Sequence, residues 1–146
     1  MLAVAVSALT AVAPASAAVQ ENDIMPLTNF TAPLCTGGLL TLNGQLHTLF
    51  TMTESGTHFS GSTHFQPVNL SGTDSAGNMY RGVGITQEHF EGSLVNGQFS
   101  DTFVNNFFMI GTRGAHSDLF QEVEHVTFNA NGDLVASHDT VREVCH

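Results

Sequence analysis

The sequence is poor in positive charge. It has 146 residues, with three arginines and no lysine, and its 13 acidic residues give a formal net charge of −10. Such a chain repels phosphate backbones and anionic membrane surfaces, so we expect no nucleic-acid partner. Charged residues make up only 11% of the chain. This fraction is too small for a disordered polyelectrolyte, so the composition favours a folded domain.

The sequence also lacks the short motifs that mark common chemistries. It contains no G-x-S-x-G, P-loop, dinucleotide fingerprint, H-E-x-x-H or C-x-x-C pattern. His47 falls opposite His64 in the strand pairing that the turns predict, but a third metal ligand is not evident. We therefore assign no catalytic residue, no metal and no cofactor from the sequence.

The N-terminal residues 1–17 are small and apolar, and they end in Ala15-Ser16-Ala17, an A-x-A cleavage pattern. This stretch is typical of a secretory signal peptide, and it is too short and too interrupted by Pro14 for a transmembrane helix. The alternative is a hydrophobic strand or helix of the fold. We expect a secreted, extracellular protein with no membrane span, an extended leader over residues 18–34, and one domain over residues 35–146.

Cys35 and Cys145 are the only cysteines in the chain. In an exported protein two cysteines usually pair, so we predict a disulfide that joins the start of the domain to its end. Two free buried thiols or a metal-binding pair are the alternatives.

Turn signals recur along the domain at residues 43–44, 54–56, 74–77, 96–97, 111–114 and 129–132, with β-rich runs between them. Even spacing of this kind predicts an antiparallel meander of seven or eight strands, which we expect to close into a small β-barrel. The aromatic stretch 99–110, FSDTFVNNFFMI, also fits a helical stripe. Its Phe, Thr, Val and Asn content favours a strand.

The turns also predict which residues lie opposite each other. A two-residue hairpin turn at Asn96-Gly97 places Phe90 opposite Phe103 and Glu88 opposite Asn105. The sequences DSAG (74–77) and NANG (129–132) suit a type I turn followed by a left-handed glycine. The hairpin closed by NANG (129–132) predicts ordinary cross-strand ion pairs among Glu122, Glu124, His138 and Arg142. A change of apolar phase at Gln66-Pro67 predicts a bulge.

These registers gather aromatic side chains and a few polar groups on one face, as in a small-molecule pocket. The predicted ligand-binding residues are Tyr80, Glu88, Phe90, Asp101, Phe103, Asn105 and Phe107. We interpret the protein as a binder of a small, mostly apolar ligand in the barrel interior. One alternative is a structural or interaction module of the cell exterior with a solid core. The other is a cofactor-free isomerase or cyclase that uses the pocket carboxylates and Tyr80. The oligomeric state is left open.

Three stretches carry a resemblance to known proteins: FVNNFFMIG (103–111), HVTFNANGD (125–133) and REVC (142–145). Together they resemble a group of small exported bacterial proteins of unknown function, with an early Cys, central aromatic strands, an HVTxNANG hairpin and a late Cys. The resemblance implies an all-β fold, similar in architecture to lipocalin and dirigent or allene-oxide-cyclase barrels. It implies no activity, because fold analogy does not transfer function.

Overall fold

A single antiparallel β-sheet makes up the part of the chain that the structure describes. The computed structural model describes residues 17–146, and the predicted signal peptide, apart from Ala17, lies outside them. Seven strands follow one another in the sheet in the order of the sequence, which confirms the predicted all-β antiparallel meander. The strands are β1 (Ala17–Pro33), β2 (Leu39–Ser55), β3 (His58–Asp74), β4 (Met79–Ser93), β5 (Phe99–Gly111), β6 (Asp118–Phe128) and β7 (Leu134–Cys145).

The strands are longer than most, because two predicted breaks lie inside them. The aromatic stretch 99–110 is a strand, β5, as predicted. Asn43-Gly44, predicted as a turn, lies inside β2 at a register shift. The matching irregularity on β3 is Asn69, whose φ is +51°, so the predicted bulge exists but centres on Asn69 rather than on Pro67. Gly44 contacts the Leu70 backbone so closely that a Cβ would collide with it, so this crossing requires glycine.

Two of the hairpins share one turn motif. In each, an Asp or Asn side chain accepts hydrogen bonds from two following backbone N–H groups: Asp74 from Ala76 and Asn78, and Asn129 from Asn131 and Asp133. Gly77 and Gly132 follow with φ of +84° and +81°. The predicted type I turn with a left-handed glycine is therefore confirmed at both places.

Several predicted residue pairs between β4 and β5 are wrong, although the predicted faces of these two strands hold. The turn after β4 closes at Ser93 and Gln98 rather than tightly around Asn96-Gly97. The register consequently slips by two residues, so Glu88 lies opposite Phe103 and Thr86 lies opposite Asn105. A slip of two leaves every side chain on its original face, because side chains alternate with a period of two.

The register of the last hairpin differs from the prediction by one residue. His125 faces His138, and Glu124 faces Asp139. Glu122 lies opposite Val141, while Arg142 lies opposite Gln121, so Glu122 and Arg142 point to opposite faces. The predicted ion pairs of this hairpin are therefore wrong, and the cause is a bulge between Thr127 and Phe128.

The core shows that the sheet is curved. Four strands contribute buried side chains to one cluster on the same face, and a single flat sheet cannot bury its own side chains in this way. We call this face the concave face and the other the convex face. The cluster consists of Leu34, Leu40, Leu42, Leu70, Tyr80 and Met109.

The predicted closure into a barrel is wrong: β1 pairs with β2 alone, and β7 with β6 alone, across residues 17–146. In a meander of seven strands the first and last strands run in the same direction. Closure would therefore need a parallel pair between β1 and β7, and the sheet contains no such pair across residues 17–146.

The predicted disulfide between Cys35 and Cys145 is confirmed, with 5.9 Å between the two Cα atoms. It ties the loop after β1 to the last residue of β7. Beside it, the backbone N–H of Cys35 donates to Asp118 Oδ2 over 3.0 Å, and Asp118 is only 5% exposed. One end of the open sheet is thus held together by a covalent bond and a buried carboxylate.

Candidate ligand-binding site

A cavity of about 270 Å³ lies on the concave face near the disulfide end of the sheet. Strands β1 to β5 all contribute to its wall, so it depends on the curvature of the sheet rather than on any one hairpin. Seven of its lining side chains are apolar and two are polar. The lining residues are Leu27, Phe30, Leu46, Phe65, Pro67, Leu70, Thr86, Asn105 and Phe107.

The two polar residues of the cavity are cross-strand neighbours. Thr86 on β4 lies opposite Asn105 on β5, and its hydroxyl donates to Asn105 Oδ1 over 2.8 Å. This bond uses the amide oxygen and leaves the two N–H donors of Asn105 Nδ2 available. The cavity therefore offers an apolar wall with one fixed hydrogen-bond donor group.

The seven residues predicted to bind a ligand do not lie together. Asn105 and Phe107 line the cavity. Tyr80 belongs to the core cluster, and its hydroxyl donates to Asp74 Oδ2 over 3.3 Å. Burial, and then the charge of Asp74, raises the pKa of Tyr80. The other four, Glu88, Phe90, Asp101 and Phe103, lie further from the disulfide on the concave face of β4 and β5.

These four belong to a band of aromatic rings and carboxylates. The rings of Phe50 and Phe90 stack with centroids 5.9 Å apart. Phe90 also covers Gly61 on the strand between them, and a Cβ there would overlap the ring. Phe59 covers Gly92 in the same way. The rings therefore supply the packing that these strand glycines lack.

Asp101 sits in this band without a partner for one of its oxygens. It lies opposite Phe90 on β4 and Val126 on β6. Its Oδ1 is buried and accepts no hydrogen bond within the described part of the chain. Burial raises the pKa of Asp101, and the negative charges of Glu88 and Glu124 raise it further, against a backbone hydrogen bond from Thr102 that lowers it.

Sequence reasoning missed most of the cavity wall. Leu27 and Phe30 lie in the stretch predicted as an extended leader, which the structure shows as β1, paired with β2 from Ala17 to Pro33. Between Leu27 and Phe30 the register shifts around Asn29, whose φ is +52°, and this shift turns both side chains to the same face. The sequence signal for this strand was an apolar stretch followed by a cysteine, and the same pattern is also compatible with a linker.

Histidines concentrate on the convex face. His125 lies between the hydroxyls of Thr102 and Thr127, at 2.8 and 3.2 Å from its two ring nitrogens, and His138 contacts Thr140 at 3.1 Å. His47 is paired with Gln66 rather than with His64. Across residues 17–146, no three His, Cys, Asp or Glu side chains lie close enough together to hold a metal ion.

Comparison with known proteins adds no identity to this site. No family model, no curated protein and no solved structure matches the chain. The resemblance to small exported bacterial proteins therefore stays a prediction. Within residues 17–146, no helix has the length and apolar character needed to cross a membrane.

Proposed function

We propose that this protein is exported and binds a small, mostly apolar ligand in the cavity on its concave face. The observation that carries the proposal is a cavity of about 270 Å³ with seven apolar lining side chains and one polar pair, Thr86 and Asn105. A dry cavity of about 150 Å³ takes up benzene, and drug-sized ligands need roughly 300–1,000 Å³. The size thus suits a single aromatic ring with a short substituent, or a short acyl chain.

The orientation of the ligand would come from Asn105. Its Nδ2 donors favour a ligand with an acceptor oxygen, such as a ketone, an aldehyde or an ether. Leu27 and Phe30 form the wall on β1, which is an edge strand, and Phe30 is 50% exposed. We therefore infer that the ligand enters from the open edge of the sheet.

The test compares two probes of nearly the same shape. Acetophenone carries a carbonyl oxygen, and α-methylstyrene carries a CH₂ group in its place. Acetophenone should bind more tightly by about two- to tenfold, the range expected for one neutral hydrogen bond. Calorimetric titration and the shift of the melting temperature measure both affinities.

The chain offers a matched pair of variants for this test. Asn105 faces the cavity, whereas Asn106 points to the convex face and accepts a hydrogen bond from Gln121. Asn105→Ala should remove the preference for acetophenone, and Asn106→Ala should preserve it. If neither probe raises the melting temperature at its solubility limit, the proposed function is wrong. If Asn105→Ala keeps the preference, the proposed role of Asn105 is wrong.

A further inference from the structure

The two edge strands of the sheet, β1 and β7, run in the same direction and are joined at one end by the disulfide. Each step along the antiparallel meander reverses the strand direction. Strand β7 lies an even number of steps from β1, so the two strands are parallel. Cys35, two residues after β1, is bonded to Cys145, the last residue of β7. From that end the edges extend with their outer backbone groups unpaired within residues 17–146. Such edges are templates for an added strand.

The sheet is staggered in the way that a barrel requires. Cys145 is paired with Asp118, and Asp118 with Met109, which lies opposite Gly82. Leu70 packs against both Gly82 and Gly44, and Gly44 is paired with Leu27. The line of paired residues that starts at Cys145 and crosses the sheet thus reaches β1 at Leu27. The disulfide, however, bonds Cys145 to Cys35, which lies eight residues after Leu27 in the sequence. A stagger of this kind curls the two edges toward each other.

Exposed apolar side chains concentrate on these two edges. Of the thirteen large hydrophobic residues that are exposed, seven lie on β1 or β7, although the two strands supply fewer than a quarter of the described residues. They are Val19, Ile24, Met25 and Phe30 on β1, and Leu134, Val135 and Val141 on β7. Apolar side chains beside unpaired backbone indicate a surface that a further strand covers.

The concave side of these edges is acidic. Asp139 and Glu143 lie on the concave side of β7, and Glu21 and Asp23 lie on that of β1. All four are exposed. Because the whole chain contains no lysine, a strand with lysine or arginine side chains fits these edges better than another segment of the same composition.

We propose that an extended segment of a basic partner protein inserts between β1 and β7 and pairs antiparallel with both. Its backbone takes up the free hydrogen-bonding groups of the two edges, as in other cases of strand addition. Its alternate side chains place Lys or Arg over the concave carboxylates, where their alkyl stems cover Met25 and Val141. The other side chains lie beside Ile24 on the convex face. This inference does not depend on a ligand in the cavity.

The probe is a dye-labelled peptide of twelve residues in which lysine and valine alternate, titrated into the full chain with fluorescence anisotropy as the readout. Two further peptides carry N-methyl groups on either the lysine or the valine amides. In a strand between two neighbours, alternate amides point to opposite sides. Each methylated peptide should therefore lose about tenfold or more in affinity, since each loses several hydrogen bonds. If either methylated peptide binds as well as its parent, a bridging strand is excluded.

Charge variants test the position of the peptide. Glu143 lies on the proposed binding edge, whereas Glu91 is exposed on the convex face of β4. Glu143→Gln should weaken binding about two- to fivefold at about 0.1 M salt, the range for one cross-strand charge pair. Glu91→Gln makes the same change in net charge and should leave the affinity within about 1.5-fold, because an exposed charge at that distance is screened. Equal losses in the two variants would mean that net charge alone attracts the peptide.

Light scattering of the free chain completes the test. The proposal predicts a monomer whose mass rises by one peptide at saturation. A dimer that the peptide does not dissociate would assign the two edges to a second copy of the chain, and it would overturn the proposal.

Discussion

Asp101 is the residue whose replacement tests the electrostatics of the concave face most directly. Its ionised form loses solvation by burial and is repelled by Glu88 and Glu124. Its Oδ1 accepts no hydrogen bond in the described chain. Asparagine has nearly the same shape and keeps an oxygen for the Thr102 N–H, but it carries no charge. We therefore expect Asp101→Asn to stabilise the protein at pH 7.

The expected magnitude is about 1 kcal/mol, the lower end of the cost of a buried, unsatisfied polar group, since part of the carboxyl is in contact with solvent. For a domain of this size the melting temperature should then rise by roughly 3–5 °C.

The pH dependence fixes the sign of the effect. The pKa of Asp101 is raised in the folded state above its ordinary value of 3.8. Between the ordinary pKa and the raised pKa of the folded state, the folded protein binds more protons than the unfolded protein. The wild type therefore loses stability as the pH rises through this window. Asp101→Asn has no such loss. The difference between the two proteins should be near zero below the ordinary pKa and should reach its full size at neutral pH.

Urea denaturation followed by far-ultraviolet circular dichroism, at intervals from pH 3 to pH 8, measures the difference. The control is Asp139→Asn on β7, where the carboxylate is exposed and the change should stay within about 0.5 kcal/mol. In addition, Glu88→Gln should lower the pKa of Asp101, which carbon-13 titration of its carboxyl reports. A destabilised Asp101→Asn at pH 7, or a difference that does not vary with pH, would refute this account.

Two further predictions concern stability. Leu42 is fully buried in the core cluster, so Leu42→Ala should lower the free energy of unfolding by about 2–5 kcal/mol. Leu39 on the same strand is 64% exposed, so Leu39→Ala should lower it by less than about 0.5 kcal/mol. Equal urea midpoints for the two variants would contradict the assigned core. The disulfide closes a loop with a sequence separation of 110 residues, so its reduction should lower the free energy of unfolding by up to about 4.7 kcal/mol; an unchanged urea midpoint in dithiothreitol would show that its ends stay together without it.

Local chemistry made much of the sheet predictable. The DSAG and NANG turns hold because an Asp or Asn followed by a left-handed glycine specifies its own turn. The predicted faces of β4 and β5 are correct because side chains alternate between the two faces of a strand with a period of two. For the same reason, the register slip of two residues left the faces unchanged. Asn43-Gly44 misled because a bulge inside a strand and a turn between strands use the same residue types.

The candidate site depended on pairings that no local signal encodes. The stretch 18–34 becomes β1 through its pairing with β2, and only then do Leu27 and Phe30 reach the cavity wall. Asn105 and Phe107 were predicted on the right face, but Thr86 came beside Asn105 only through the shifted register.

The amino-acid pattern alone predicted the all-β class, the meander, the cysteine pair and the aromatic face. Each of these features depends on residues that are near one another in sequence or unique in the chain. The tertiary structure decided that the sheet stays open and that the cavity lies near the disulfide. The physical reason is that strand number sets the direction of the two edges, while stagger and bulges set which side chains meet across five strands. These are properties of the whole sheet, and no single segment contains them.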